Sequence, residues 1–186
     1  MTSEYKFVIL VNGVPASGKS SVAHEVAEHF NFTYLSIDTI KEPFMMVTEN
    51  YNRTINRALG KAAYQVIWDI VAQSPHHNSF VIDAWFGFQP REDLLEYLNR
   101  SGVTHVLEIW NSISGETAMQ RYKKRIPYRS DKHPKEEYLP ELSILAEKAK
   151  PMMVSDVITV DQDKTIDMAH IFRSITEKLT QQKIRA

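Results

Sequence analysis

The sequence predicts an α/β fold built on a mostly parallel sheet, and three observations carry that expectation. Five short apolar runs alternate with helical patterns along 186 residues. Between the first run and the first helical pattern stands Gly13-Val14-Pro15-Ala16-Ser17-Gly18-Lys19-Ser20, which fits G-x-x-x-x-G-K-[ST]. Two further runs end on acids, Asp38 and Asp83, where the carboxyl ends of parallel strands would place them beside that loop.

The first strand is Phe7 to Val11, rich in β-branched residues, and the helix after the loop carries Val22, Val26 and Phe30 at four-residue spacing. A loop of this pattern winds around a phosphate pair with its N–H groups inward, while Lys19 reaches the terminal phosphates and Ser20 holds a magnesium ion. Glycine at 13 and 18 lets the backbone approach phosphate oxygens without an intervening Cβ. The helix starting near Gly18 adds unsatisfied N–H groups and the positive end of its dipole. Gly13, Ala16, Ser17, Gly18, Lys19, Ser20 and Ser21 are therefore the expected nucleotide-binding stretch.

Thr33 to Ile37 reads as a second strand ending at Asp38, and Thr39 to Met46 starts a new element with Pro43 in its opening turn. Arg53 to Ala72 is the longest helical pattern. It carries Ile55, Leu59, Ala62, Val66 and Ile70 on one face, with Tyr64, Ile67, Trp68 and Val71 beside it, which suggests cover on more than one side. Phe80 to Ile82 makes a third strand that stops at Asp83. Pro90 opens the next helix at its first position, with Leu94, Leu95 and Leu98 inward and Ser101-Gly102 closing it. A fourth strand spans Thr104 to Ile109. Ser114 caps a helix that ends before Pro127. A basic, irregular stretch, a short helix from Pro140 to Ala149, a fifth strand from Val157 to Val160 and a closing helix from Ile166 to Leu179 complete the chain.

The chain is 43% hydrophobic, with a formal net charge of -1 and a pI near 6.7. This suits one domain with a sizeable core and gives no global attraction to nucleic acid or anionic membrane. The absence of cysteine excludes disulfides, thiolate metal sites and a cysteine nucleophile. No apolar run approaches the ~18 residues of a membrane span. The opening MTSEYK lacks the basic and apolar regions of a signal peptide, so the expectation is a cytoplasmic protein with no membrane partner.

Asp38 would aim its carboxylate at the crevice holding the terminal phosphate and accept a proton from a substrate hydroxyl; alternatively it caps the helix beginning at Thr39 or Ile40. Asp83 fits an acid that holds magnesium directly or through water, or a turn residue before an aromatic loop. Trp85, Phe86 and Phe88 would wall an acceptor pocket or belong to the core. Arg91 would orient an anionic substrate group or stay solvated. Between Arg121 and Lys135 lie seven of the 22 Lys and Arg residues against one acid, Asp131. Such a run is commonly a solvated face, yet Arg121 and Arg125 share one helix face and Arg129 follows one step on. That row could stack on a base, clamp phosphates and close over a nucleotide as a lid at about 121–137. The charges of this lid repel one another, and Pro127 and Pro134 deny it regular hydrogen bonding. The seven histidines show no metal-ligand spacing.

The stretches GVPASGKSS, LSIDTIKE, VIDAWFGFQPR and RYKKRIPYR, with the late His133-Pro134, together resemble the P-loop small-molecule kinases. The resemblance is greatest to the branch containing chloramphenicol phosphotransferase and the 5′-hydroxyl polynucleotide kinases, with gluconate and shikimate kinases more distant. It implies a three-layer αβα P-loop NTPase fold with a five-stranded parallel sheet in the order 2-3-1-4-5 and a helical lid. It also implies ATP and Mg2+ as ligands, Lys19, Asp38 and Arg125 as catalytic residues, Arg121 and Arg125 over the nucleotide, and Ser20 and Asp83 at the metal. The acceptor would be a small hydroxyl compound, met by a helical region at about 39–74 with Asp38, Lys41, Arg53, Trp85 and Arg91. Lys41 to Arg57 follows no assignable substrate pattern, so a polynucleotide or a sugar nucleotide stands as an alternative acceptor. The only basic cluster is the one the lid uses, which argues against nucleic acid. A GTPase-type switch would need D-x-x-G and N-K-x-D, and neither Asp83-Ala84-Trp85-Phe86-Gly87 nor Asp161-Gln162-Asp163-Lys164 supplies them.

Overall fold

Period-two alternation makes β1 (Phe7–Asn12) a two-sided strand: Val8 and Leu10 face one helical layer, Ile9 and Val11 the other. A computed structural model describes residues 5–185, with side chains through 181. The first four residues, on which the leader reading largely rests, lie outside the described residues. After β1 come α1 (Lys19–Phe30), β2 (Thr33–Ser36), α2 (Ile37–Val47), α3 (Arg53–Gln73), β3 (Ser79–Ala84) and α4 (Arg91–Arg100). β4 (His105–Ser112), α5 (Gly115–Arg125), α6 (Leu139–Lys148), β5 (Val157–Asp161) and α7 (Met168–Arg185) follow. The strands pair in parallel in the order β2-β3-β1-β4-β5, as the resemblance implies. Helices cover both faces.

Tyr64, Ile67, Trp68 and Val71 of α3 and Leu94 and Leu98 of α4 pack on one face, against Val8, Leu10, Phe80 and Ile82. Val22, Ala23 and Val26 of α1 and Ile171 and Ile175 of α7 pack on the other, against Ile9, Val11, Val81 and Leu107. A third cluster joins Val14 and Ala16 of the loop after β1 to Ala118 and Tyr122 of α5 and Leu142 and Ala146 of α6. The loop is thus bolted into a small core of its own. Among the described residues no helix is long and apolar enough to cross a membrane.

Several local expectations need correction. On α3 the large residues Tyr64, Ile67, Trp68 and Val71 are buried, while Val66 and Ile70 of the other stripe stand exposed. Burying a large apolar side chain contributes about 1.5–3 kcal/mol relative to leaving it in water. Two aromatic rings therefore decide which way the helix turns. On α4 the same competition leaves Leu95 exposed. Pro43 lies inside α2 rather than in its opening turn. It withholds an N–H from the carbonyl of Thr39, and both residues are exposed, so water can serve that carbonyl. Pro90 sits at the cap position before α4, one residue earlier than expected. β2 stops at Ser36, so Asp38 is not a strand end. It occupies the first turn of α2, where a carboxylate complements the helix dipole, and Ser36 takes the cap position.

Candidate active site

The phosphate loop owes its shape to two left-handed residues and one crowded contact. Ala16 has φ 64° and Gly18 φ 85°. At Gly18 glycine removes the strain of that conformation, and a Cβ there would also strike Gln162 Oε1. At Gly13 the reason is space alone, because a Cβ would collide with Ser17 Oγ and come within 3.1 Å of Asn111. The cap of α1 is Gly18, with no side-chain hydrogen bond and no acid in the first turn, so the helix N–H groups carry no internal counter-charge. Ser17 Oγ is buried and lacks a partner among the described residues. Lys19 Nζ donates to Val14 O at 3.4 Å, folded over the loop.

A relay of buried amides holds this loop from below. Asn111 Nδ2 donates to Asn12 O at 3.0 Å, Gln162 Nε2 to Asn111 Oδ1 at 2.8 Å, and Arg121 to Gln162 O at 2.7 Å and Ser17 O at 3.5 Å. Asn12 in turn donates to the buried carboxylate of Glu108 at 2.8 Å and accepts from Phe86 N at 3.1 Å. Sequence reasoning missed Asn12, Glu108, Asn111 and Gln162. Their signal was available, as polar residues within or directly after apolar strands, where an unpaired group would be costly.

Asp83 is 2% exposed and accepts from the Tyr34 hydroxyl at 2.9 Å. Burial, and then the Asp83 charge, push the Tyr34 hydroxyl well above its usual pKa, so it stays a donor. The other oxygen, Asp83 Oδ1, has no partner among the described residues. Ser20 and Asp83 both line the same cavity. An orphaned carboxylate oxygen and a hydroxyl residue lining one cavity fit Mg2+, which keeps several waters and takes one or two protein oxygens. No group of three or more His, Asp or Glu side chains able to hold a metal occurs among the described residues.

The cavity measures ≈ 1460 Å3 and is lined by the loop, α2, α3, the stretch after β3, and the segment 122–138. A drug-sized ligand site measures about 300–1,000 Å3, so there is room for two ligands. Lys19, Ser20, Asp38, Lys41, Arg53, Asp83, Trp85 and Arg125 all line it. Arg125 is exposed and makes no hydrogen bond or ion pair among the described residues. Arg53 reaches Glu141 of α6 at 2.7 Å. Arg91 does not join them: its guanidinium donates to Met152 O and Met153 O, both at 3.0 Å, and ties α4 to the stretch before β5.

The basic segment forms no helix longer than a 3-10 turn over 126–138, and its charges meet α2 rather than only one another. Arg129 lies 3.9 Å from Asp38 and 3.6 Å from Glu42. Lys132 Nζ donates to Met45 O at 2.6 Å, Met46 O at 3.0 Å and Thr48 O at 2.7 Å, capping the C-terminus of α2. His133 Nε2 meets Glu42 at 3.1 Å. Burial, then the neighbouring Arg129, lower its pKa, against the opposing pull of Glu42 and Asp38. Glu42 and Lys132 carry no signature in the sequence, because they meet only once α2 and this segment are folded.

A parallel sheet in this order, with a G-x-x-x-x-G-K-S loop between β1 and α1, defines a P-loop NTPase fold. The chain belongs to the AAA domain family, whose model matches residues 8–149. A candidate kinase from Chloroflexus aurantiacus shares this fold with a TM-score of 0.76 at 21% identity, over 95% of this chain and 99% of that one. Chaetomium thermophilum Kti12, solved with ADP-AlF3, superposes with a TM-score of 0.62 at 18% identity over 92% and 98% of the two chains. Deoxyadenosine kinase from M. mycoides does so with 0.59 at 16% identity over 94% and 99%. No curated protein matches the sequence.

Proposed function

We propose that this protein is an ATP-dependent kinase that transfers the γ-phosphoryl group of ATP to a hydroxyl of a small molecule. One observation carries the reading: a single cavity with room for two ligands is lined by the phosphate loop, the Asp38 carboxylate and the unpaired Arg125. Holding donor and acceptor together removes the entropy cost of a bimolecular encounter. The acceptor oxygen bonds to the γ-phosphorus as the bond to the ADP oxygen breaks, and the hydroxyl proton passes to Asp38. Lys19 and Arg125 meet the charge that develops on the transferring group. Ser20 and Asp83 would hold Mg2+, which would neutralise phosphate charge.

The segment 121–137 serves as the lid, with Arg125 and Arg129 on the cavity wall and Arg129 beside Asp38. Arg121, expected over the nucleotide, is instead tied to Ser17 O and Gln162 outside the cavity lining. The ion pair between Arg53 and Glu141 crosses from α3 to α6 beside the cavity, which favours a small acceptor over a polymer. The kinases among proteins of this fold, and Kti12 in complex with ADP-AlF3, support phosphoryl chemistry at the loop.

The test is transfer from radiolabelled ATP and Mg2+ to a panel of sugars, polyols, nucleosides, aminoglycosides and 5′-hydroxyl oligonucleotides. A small labelled product that disappears with Lys19→Ala is the expected result. Loss of Lys19 removes the cation at the terminal phosphates while the loop backbone remains. Product from Lys19→Ala at the wild-type rate would defeat the mechanism, and product from oligonucleotides alone would defeat the acceptor class.

A further inference from the structure

The cavity carries more positive charge than ATP and Asp38 use. Arg53, Arg57 and Lys61 follow one another at four-residue spacing along α3, and all three line it. Arg53 is paired with Glu141. Arg57 and Lys61 are exposed and make no hydrogen bond or ion pair among the described residues. Lys41, from α2, lines the same space half-buried without a hydrogen bond or a close ion pair among the described residues, and burial lowers its pKa against the pull of Asp38 and Glu42. Like charges four residues apart repel, and the dipole of α3, positive at this end, relieves none of it.

The acids around the cavity are already engaged. Asp38 faces Arg129, Glu141 holds Arg53, Asp131 holds Lys135 at 2.9 Å, and Glu137 accepts from Lys135 N at 2.9 Å. Asp83 takes the Tyr34 hydroxyl and lies against the loop region. Arg57 and Lys61 therefore face the cavity with no protein counter-charge of their own, and Lys41 faces it with only Asp38 and Glu42, both shared with Arg129, to offset its burial.

We propose that the acceptor carries its own anionic group, a phosphate monoester or a carboxylate, and that Arg57, Lys61 and Lys41 hold it while the hydroxyl meets Asp38. This rests on the kinase reading of the same cavity. Arg offers a planar fork suited to either anion, and the two lysines act as point charges.

The test does not score transfer, so it separates this inference from the kinase reading. The protein is saturated with Mg2+ and a non-hydrolysable ATP analogue, which fills the loop. It is then titrated with inorganic phosphate and, separately, acetate, against sodium chloride at matched ionic strength. At ten times the dissociation constant, a specifically bound anion should raise the melting temperature by about 3–5 °C. Phosphate producing the rise identifies a phosphate monoester, and acetate a carboxylate. Arg57→Gln and Lys61→Gln should each weaken the anion about tenfold or more, with the affinity for the ATP analogue as the control for folding.

No saturable rise with either anion, or a rise undiminished in both variants, overturns the proposal. A 5′-hydroxyl oligonucleotide that displaces phosphate with a steep salt dependence overturns the small-molecule class. A protein that binds phosphate in this way but transfers nothing keeps the anion subsite and loses the kinase reading.

Discussion

At the scale of single residues the sharpest division falls at Asp38, which sits in the first turn of α2, lines the cavity and lies 3.9 Å from Arg129. If it takes the acceptor proton, Asp38→Asn should slow single-turnover transfer by about 10²- to 10⁴-fold with ATP affinity hardly moved. Its side chain is half exposed, and such ion pairs are worth about 0–1 kcal/mol, so the variant should melt close to wild type. A loss under about tenfold would make Asp38 a positioning group, since the transition state is loose and needs little early deprotonation. Arg125 poses the complementary question. An arginine free of partners in the ground state and aimed at charge that develops later should matter to rate more than to binding. Arg125→Ala should lower kcat by about 10²- to 10³-fold and raise the ATP dissociation constant by less than about fivefold. Equal losses in both would leave it a binding residue. The placement of Lys19, Ser20 and Asp83 around one cavity was legible because it is tied to local patterns, the loop motif for the first two and an apolar run for the third. Arg91, at the start of α4, was open to either an anionic substrate group or solvent, and nothing local says that its partners are carbonyls sixty residues away.

Elements bring into play what no local pattern contains. The basic segment after α5 is fastened to α2 by Arg129, Lys132 and His133, and the carbonyls that Lys132 caps exist as acceptors only because α2 ends near Val47. Docking lowers the pKa of His133 below its ordinary 6.5, through burial and then Arg129, with Glu42 and Asp38 pulling upward and Lys41 of α2 adding to the lowering. The undocked segment therefore binds the proton more readily. The contribution of His133 to docking is whole above about pH 6.5 and is lost as the pH falls through the docked value. Hydrogen exchange over 126–138, corrected for the intrinsic pH dependence, should show more frequent opening at pH 5.5 than at 7.5, and His133→Gln should flatten that difference. An opening frequency that falls on acidification would show Glu42 to dominate instead. Strand positions were readable because buried parallel strands are apolar runs, and the polar ends they conceal explain why β4 was drawn three residues short: Trp110, Asn111 and Ser112 continue the ladder through hydrogen bonds that a hydropathy pattern does not weight. The α3 face was misjudged for a related reason, since two stripes were apolar and only tertiary packing chose the one with Tyr64 and Trp68.

Across the whole molecule the two ends of the sheet carry different tasks, and the far end was invisible to sequence reasoning because its key residue looks like an ordinary N-terminal lysine. Lys6, just before β1, is 1% exposed, and its ammonium donates to Val71 O at 2.7 Å, Ser101 O at 3.2 Å and Ala72 O at 3.5 Å. These carbonyls close the C-terminal ends of α3 and α4, where helix dipoles favour a cation. One buried charge thus pins both helices of one layer to the start of the central strand, at the opposite end of β1 from the phosphate loop. Lys6→Met keeps much of the volume but leaves the Ser101 carbonyl unpaired, at about 1–3 kcal/mol, and takes a charge-assisted bond of about 1.5–3 kcal/mol from Val71 O, which keeps Ser74 N, while water can serve the exposed Ala72; no longer burying an ammonium offsets part of this. A net loss of about 2–4 kcal/mol corresponds to a melting temperature lower by about 5–10 °C for a chain of this size. Because the cap lies away from the cavity, the folded fraction at low temperature should bind the Mg·ATP analogue as tightly as wild type. Calorimetric melting with nucleotide titration on the same sample checks both halves: an unchanged melting temperature would show that water replaces the ammonium, and a weakened nucleotide affinity would show that the two ends of the sheet are coupled.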